Sequence, residues 1–257
     1  LMHDGQALQS GTTHYFGQEF AKAFDIKFTD EKNQLQYAHQ TSWGVSTRLI
    51  GAVIMVHGDD EGLILPPYVA PDQIVLIPIQ SQKEIVQEHT KKLYDSLKAQ
   101  GYRVKMDDSN KSPGWKFAEY EMKGVPVRIE VGPRDLEQGV VTLVTRHNRH
   151  KITLPISDVV TSIPNILKEM HDTLYQRALD HVTKNTYEAK DYESFKSFIQ
   201  KGGYVAMSIS GEEAEIQIKK DTTATARVIP FDQTLITETC PVTGKKAVQT
   251  VWFARAY

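Results

Sequence analysis

QIVLIPI, residues 73–79, is a short and almost wholly apolar run between a proline-rich stretch and a polar one, and its reading decides the architecture. A run of this length bounded by turn residues suits a strand buried on both faces. The pattern that follows predicts a helix near Lys83 to Gln100 capped by Gly101, then a strand over Tyr102 to Met106. Trp115 to Lys123 reads as a second helix, Val125 to Val131 as an alternating strand and Val140 to Thr145 as another. Strands that alternate with helices imply a mixed α/β sheet with helices packed on it. Ile163, Leu167, Met170, Leu174 and Ala178 recur at spacings of four and three, which predicts a long amphipathic helix that either closes this unit or bridges to the next.

Upstream of the run, Pro66, Pro67 and Pro71 break regular structure and set a domain boundary. In the block before them, Phe16, Phe20 and Phe24 recur every four residues, so three rings are expected on one helix face, anchored in a core. Lys27 to Trp43 is rich in strand formers, with Asp30 to Asn33 as a hairpin turn. Leu49, Ile50, Val53, Ile54 and Val56 predict a mostly buried helix that stops at Gly58. Downstream, after about Thr186, a helix with Tyr192, Phe195, Phe198 and Ile199 stops at Gly202-Gly203 and a strand runs from Tyr204 to Ile209. The expectation is therefore an α/β and α+β multidomain chain with parts at 1–70, 71–185 and 186–257.

Composition agrees with more than one folded domain. The 257 residues are 40% hydrophobic and 24% charged, near the globular average. The net charge of -2 supplies no global field for a polyanion, so any nucleic-acid contact must be local. Between 72 and 150 there are 13 Lys plus Arg against 11 Asp plus Glu, only slightly basic. The single cysteine, Cys240, permits no internal disulfide and no Cys-rich metal cluster, and it suits a reducing, cytoplasmic setting. The longest apolar stretch, Leu49 to Val56, is far short of the ~20 residues of a membrane span. The opening Leu-Met-His-Asp-Gly carries neither a signal pattern nor an initiator start, which reads as a fragment whose N-terminal part is missing. Neither a GxGxxG nor a GK[ST] phosphate loop is present.

Three stretches carry chemistry. Ser42 to Arg48 (SWGVSTR) places a cation at a strand-to-helix junction, beside free backbone N–H groups, where an anion or nucleotide binds. A guanidinium there can stack on a base and fork to a phosphate, or simply balance surface charge. His57-Gly58-Asp59-Asp60-Glu61 groups an imidazole and carboxylates, but adjacent residues rarely converge on one ion, so it reads as a solvated loop. In EMKGVPVRIEVGPRD, residues 121–135, Glu121, Arg128 and Asp135 supply the acceptors and forked donors that read guanine edges; a surface ion network is the other reading.

TSWGVSTRLIG (41–51) followed by AVIMVHGDDEGLILPP (52–67) resembles motif 3 of a class II aminoacyl-tRNA synthetase in its prolyl version, and GQALQSGTTHYFGQEFAKAF (5–24) is similar to the strand and helix lining the same pocket. The 121–135 stretch resembles the prolyl anticodon-binding domain, and KKDTTATARVIPF (219–231) with CPVTGKKAVQTVWFARAY (240–257) resembles the extra domain of prolyl-tRNA synthetases of the archaeal and eukaryotic type. The resemblance implies the end of an antiparallel-sheet catalytic domain, a mixed-sheet anticodon-binding domain and a small α+β C-terminal domain. It implies ATP with Mg²⁺ bound through Gln9, Thr12, Ser46 and the motif arginine Arg48, proline at His14, and the anticodon guanines of tRNA-Pro read by Glu121, Arg128 and Asp135. Tyr68 stands where relatives often carry a basic residue. Many relatives bind zinc through four cysteines; Cys240 alone remains here, with Thr243, Ser210 and Ala214 near the other positions, so no zinc is expected. The implied activity is a two-step, homodimeric proline-tRNA ligase, in which this chain lacks motifs 1 and 2 and is inactive alone. The competing expectation is a synthetase-like tRNA-binding module without ligase chemistry.

Overall fold

The computed structural model describes all 257 residues, which fall into two compact units: residues 53–185, and a discontinuous unit made of 1–52 and 186–257. The separate 1–70 block expected from the prolines is thus divided between the two. No helix is long and apolar enough to cross a membrane.

The discontinuous unit begins with strand β1 (Thr12–Gly17), the short helix α1 (Glu19–Ala23), strands β2 (Lys27–Thr29), β3 (Leu35–Tyr37) and β4 (Gln40–Gly44), and the start of helix α2 (Arg48–His57). β1 pairs antiparallel with β4, and β2 with β3. The β2–β3 turn forms as expected: the Asp30 carboxylate accepts from the Lys32 and Gln34 amides, and Asn33 takes a left-handed φ of 61°.

Two expectations for this block fail. Phe16 belongs to β1, α1 is only five residues long, and Phe20 and Phe24 are 46% and 72% exposed. The spacing of four crosses a strand-to-helix junction at Gly17, so the rings meet one another, Phe16 edge-to-face with Phe20 (4.7 Å between centroids) and Phe20 stacked on Phe24 (6.5 Å), without reaching a core. Helix α2 likewise has no buried residue, and Ile50 is 65% exposed.

The second unit is built on β5 (Ile74–Pro78), α3 (Glu84–Ala99), β6 (Val104–Met106), α4 (Pro113–Met122), β7 (Val127–Val131), α5 (Pro133–Glu137), β8 (Val140–Thr145), β9 (Lys151–Pro155) and the 29-residue α6 (Ile156–Lys184). The five strands lie in the order β6-β5-β7-β8-β9, the first three parallel and the last two antiparallel. All five residues of β5 are buried, because this strand is central and helices cover both of its faces. On one face Ile74, Leu76, Val127, Ile129, Val141 and Leu143 meet Val86, Leu93 and Leu97 of α3 and Val159, Ile163 and Leu167 of α6. On the other, Val75 and Ile77 meet Phe117 and Tyr120 of α4. Elements β9, α5 and the first turns of α6 were not foreseen.

The chain then returns to the first unit with β10 (Thr186–Glu188), α7 (Tyr192–Lys201), β11 (Tyr204–Ile209), α8 (Glu212–Thr222), β12 (Thr225–Val228) and β13 (Gln249–Ala254), whose strands lie in the order β10-β11-β13-β12. Phe195 and Ile199 of α7, Ala214 and Ile218 of α8 and Val205, Met207, Val251 and Phe253 of the sheet make its core. The N-terminal segment is stitched to this domain: the Ala7 amide donates to the Arg255 carbonyl (2.9 Å), the Tyr257 amide to the Ala7 carbonyl (3.2 Å), and the Gly203 amide to the Gly5 carbonyl (2.8 Å). Gly5 and Gly202 both have positive φ, and a Cβ on Gly5 would stand 3.0 Å from the Gly202 Cα, so glycine on each side permits the approach.

Candidate nucleic-acid interface and nucleotide site

Alternation along β7, β8 and β9 assigns their residues to opposite faces. Val127, Ile129, Val141 and Leu143 face the core, which leaves Arg128, Glu130, Thr142, Val144, Lys151 and Thr153 on the other side. Helix α4 packs over β5 and its Phe117 ring meets Arg128, so on this side Glu130, Val144 and Thr145 are buried, whereas Arg128 and Thr142 are half-buried and Lys151 and Thr153 exposed.

Glu121 and Arg128 converge there on one cavity of about 190 Å³, together with Tyr120, Thr145, Arg146, Arg149 and Lys151. Arg128 forks to Glu130 (Nε–Oε1 and Nη2–Oε1 both 3.0 Å) and lies over the Phe117 ring at 4.2 Å. Glu121 accepts from the Arg149 Nε at 2.8 Å, and Arg149 also pairs with Glu61. Asp135 lies outside the cavity, in the first turn of α5, where its carboxylate accepts from the Thr142 hydroxyl at 3.4 Å. Because Thr142 is the cross-strand partner of Glu130, Asp135, Thr142, Glu130 and Arg128 form a polar row leading into the cavity. Arg146, Arg149 and Lys151 were missed in the sequence; the basic run RHNRHK (146–151) is the signal that could have found them.

The acidic loop is a strut as well as a solvated turn. The Arg146 side chain is 3% exposed; its guanidinium donates to both carboxylate oxygens of Asp59 and its Nε to the Glu121 carbonyl at 2.8 Å. This hydrogen bond, with the cation's charge, holds the Asp59 carboxyl down to about 2 against the outward push of burial. Next to it Leu63 donates to the Met122 carbonyl at 2.9 Å, one residue from Glu121. Tyr68 packs on His171, ring centroids 4.6 Å apart.

In the other unit, Thr12 pairs with Gly44 and His14 with Ser42 across the β1–β4 ribbon, placing both on one face. Gln9 Nε2 donates to the Thr12 hydroxyl at 2.7 Å, and the Ser46 hydroxyl accepts from the Arg48 amide at 3.3 Å, at the start of α2. His14 stacks on Phe16 (5.3 Å). Arg48 is exposed and makes no ion pair. The five residues therefore gather around one face and one end of a two-stranded ribbon.

Near the chain end, Ser210 and Thr243 join hydroxyls at 2.8 Å beside the buried Cys240. Burial alone would raise this thiol, but hydrogen bonds from Thr243, Val242 and Ser210 outweigh it and lower it. One thiol, two hydroxyls and Ala214 do not make a zinc donor set, and no cluster of three or more His, Cys, Asp or Glu side chains suits a metal.

Residues 73–166 match the anticodon binding domain family, and residues 192–257 match the family of prolyl-tRNA synthetase C-terminal domains. Over its full length the chain is 58% identical to a proline-tRNA ligase of Phytoplasma australiense, 50% to one of Oceanobacillus iheyensis and 51% to one of Lachnoclostridium phytofermentans. In each case it spans 54% of the relative, so it covers about half the length of the curated proteins it matches. These relatives are bacterial, which supports the prolyl resemblance but not the archaeal and eukaryotic type expected for it.

Proposed function

We propose that this chain is the tRNA-reading half of a proline-tRNA ligase, and that the cavity on the polar side of strands β7 to β9 reads the anticodon of tRNA-Pro. It carries an anticodon-binding domain and a prolyl-tRNA synthetase C-terminal domain, each matched in its own segment. The observation that carries the reading is the convergence of Glu121 and Arg128 on one cavity, with Asp135 at the end of the same polar row. Arg128 offers a flat, held fork that suits the O6 and N7 acceptors of guanine, and carboxylates such as Glu121 and Asp135 accept from guanine N–H groups. Arg146 and Arg149 are paired with Asp59, Glu61 and Glu121, which leaves Lys151 to supply the local positive charge that the net charge of -2 does not.

The rest of the ligase reading follows the ribbon. Gln9, Thr12, Ser46 and Arg48 hold ATP, His14 faces proline, and Mg²⁺ arrives with the ATP phosphates and neutralises their charge. Arg48, unpaired at a helix start, is the group free to fork to an anion. Along the sequence 1–70 is the end of the catalytic domain, 71–185 the anticodon-binding part and 186–257 the C-terminal part, although 1–70 is shared between the two compact units, and the whole ligase is a cytoplasmic homodimer. Because its relatives are nearly twice as long, the 257-residue chain alone gives no proline-dependent pyrophosphate exchange.

The test is binding of this chain to tRNA-Pro and to a version with both anticodon guanines replaced, at fixed salt because phosphate contacts depend on ionic strength. Loss of a bidentate guanine contact is worth about 1–3 kcal/mol. Replacement should therefore weaken binding about ten- to hundredfold, and Arg128→Lys, which keeps the charge but not the fork, should erase the difference. Equal weak binding to both tRNAs would overturn the reading.

A further inference from the structure

Arg227, in the 219–231 stretch, has no place in the scheme above, yet its surroundings are those of a binding group. It lies in β12, an edge strand of its sheet. Ala226 pairs with Phe253 and Val228 with Trp252, so Arg227 is the extra residue of a β-bulge. Bulges re-aim a side chain away from the direction that alternation would give it, and they are frequent beside sites. Arg227 makes no ion pair; its one hydrogen bond goes from Nη2 to the Thr225 hydroxyl two residues away. Its Nε is buried without any protein partner. A buried donor left unmatched costs free energy comparable to a lost hydrogen bond, so its persistence asks for a ligand.

The cavity that Arg227 lines supplies the place. It measures about 390 Å³ and is walled by Tyr204, by Ala226 to Val228 and by the chain from Ala7 to Gly11. Gln9, bonded to Thr12, is in that wall, and main-chain bonds from Ala7 to Arg255 and Tyr257 hold the wall against the C-terminal domain. Arg227 is the only charged side chain in the lining.

We infer that Arg227 binds a phosphate group in a cavity continuous with the Gln9–Thr12 nucleotide site. A guanidinium with a free Nε presents the fork that matches two phosphate oxygens. The inference rests on the proposed nucleotide role of Gln9 and Thr12 for the source of that phosphate, which is either ATP or the acceptor-end backbone of tRNA. It makes the C-terminal domain a contributor to substrate binding rather than a support alone.

The experiment titrates the 257-residue chain, Arg227→Gln and Arg227→Lys with three probes at one low salt concentration: pyrophosphate, ATP, and an acceptor-stem RNA hairpin ending in CCA. Arg227→Gln should lose about tenfold in pyrophosphate affinity, the size of one charge-assisted contact, and Arg227→Lys should recover part of it. A parallel loss for ATP but not for the hairpin assigns the phosphate to ATP; the reverse assigns it to tRNA. Unchanged binding of all three probes to a folded Arg227→Gln overturns the inference. Should that variant unfold, the Arg227 ¹⁵Nε resonance of the unaltered protein decides: a shift on pyrophosphate addition supports the site, and none overturns it. Failure here leaves the anticodon-guanine dependence intact, because that is read by residues of the other unit.

Discussion

Asp59 shows how one side chain can fix another's chemistry. Its folded carboxyl titrates at about 2 against the ordinary 3.8, so the depressed group contributes stability above the unfolded value and loses it as pH falls from about 4 toward 2. Because the Asp59 side chain is 34% exposed, solvent screening cuts the contribution to about 1–2 kcal/mol. Acid titration of unfolding free energy should show that loss in the unaltered protein, and Asp59→Asn should flatten the curve over this window. Asp59→Ala at neutral pH goes further, since Arg146 is then a buried cation without a counter-ion, and a cost of about 3 kcal/mol in chemical denaturation is expected. Cys240 stands in a different environment. Truncation to alanine removes a buried sulfur and the acceptor beside the Ser210–Thr243 hydroxyl pair, which keeps its own bond, so Cys240→Ala should lower stability by about 1–3 kcal/mol and Cys240→Ser, which retains an acceptor, by less.

At the scale of elements, the chain through 59–65 and the end of α4 are locked by two glycines. A Cβ on Gly62 would stand 2.5 Å from the Met122 carbonyl oxygen, and one on Gly124 would stand 2.6 Å from that of Leu63; both residues also have positive φ. Gly124→Ala must therefore move backbone, and Glu121 sits just before the displaced residues. We expect a loss of about 2 kcal/mol or more and reduced discrimination between guanine-bearing and guanine-replaced anticodons, measured by denaturation and by tRNA titration. Elements with unbroken periodicity were legible in the sequence: β5 from its apolar run, α3 from Val86, Leu93 and Leu97, α7 from Phe195 and Ile199. Those that were not have physical reasons. β9 is a five-residue edge strand with only two apolar positions, α5 is a five-residue helix opened by a proline, and AEIQI in α8 alternates like a strand. The phenylalanine triplet misled because helical spacing was carried across a glycine into a strand. In the site, Glu121 and Arg128 stood out in one stretch, whereas Arg146 and Arg149 gain meaning only through Asp59 and Glu61, far away in sequence.

The molecule as a whole divides its stability unevenly. Residues 53–185 contain a hydrophobic core on each face of a five-stranded sheet, while 1–52 bury little beyond Met2, Gly5, Ala7 and Ala21 and depend on the C-terminal domain for Ala7 and Gly5. A segment without its own core cannot offset the conformational entropy of ordering. Residues 53–185 expressed alone should therefore fold cooperatively and keep the discrimination between tRNA-Pro and its guanine-replaced version, because every proposed reader and the Asp59–Arg146 strut lie inside it. Residues 1–52 expressed alone should stay unfolded by circular dichroism. In the intact chain, hydrogen exchange should open β1 and β4 well before β5 and β7. If the 53–185 piece folded but bound both tRNAs equally, guanine reading would require groups from the other unit, and the polar row from Asp135 to Arg128 would not be sufficient for it.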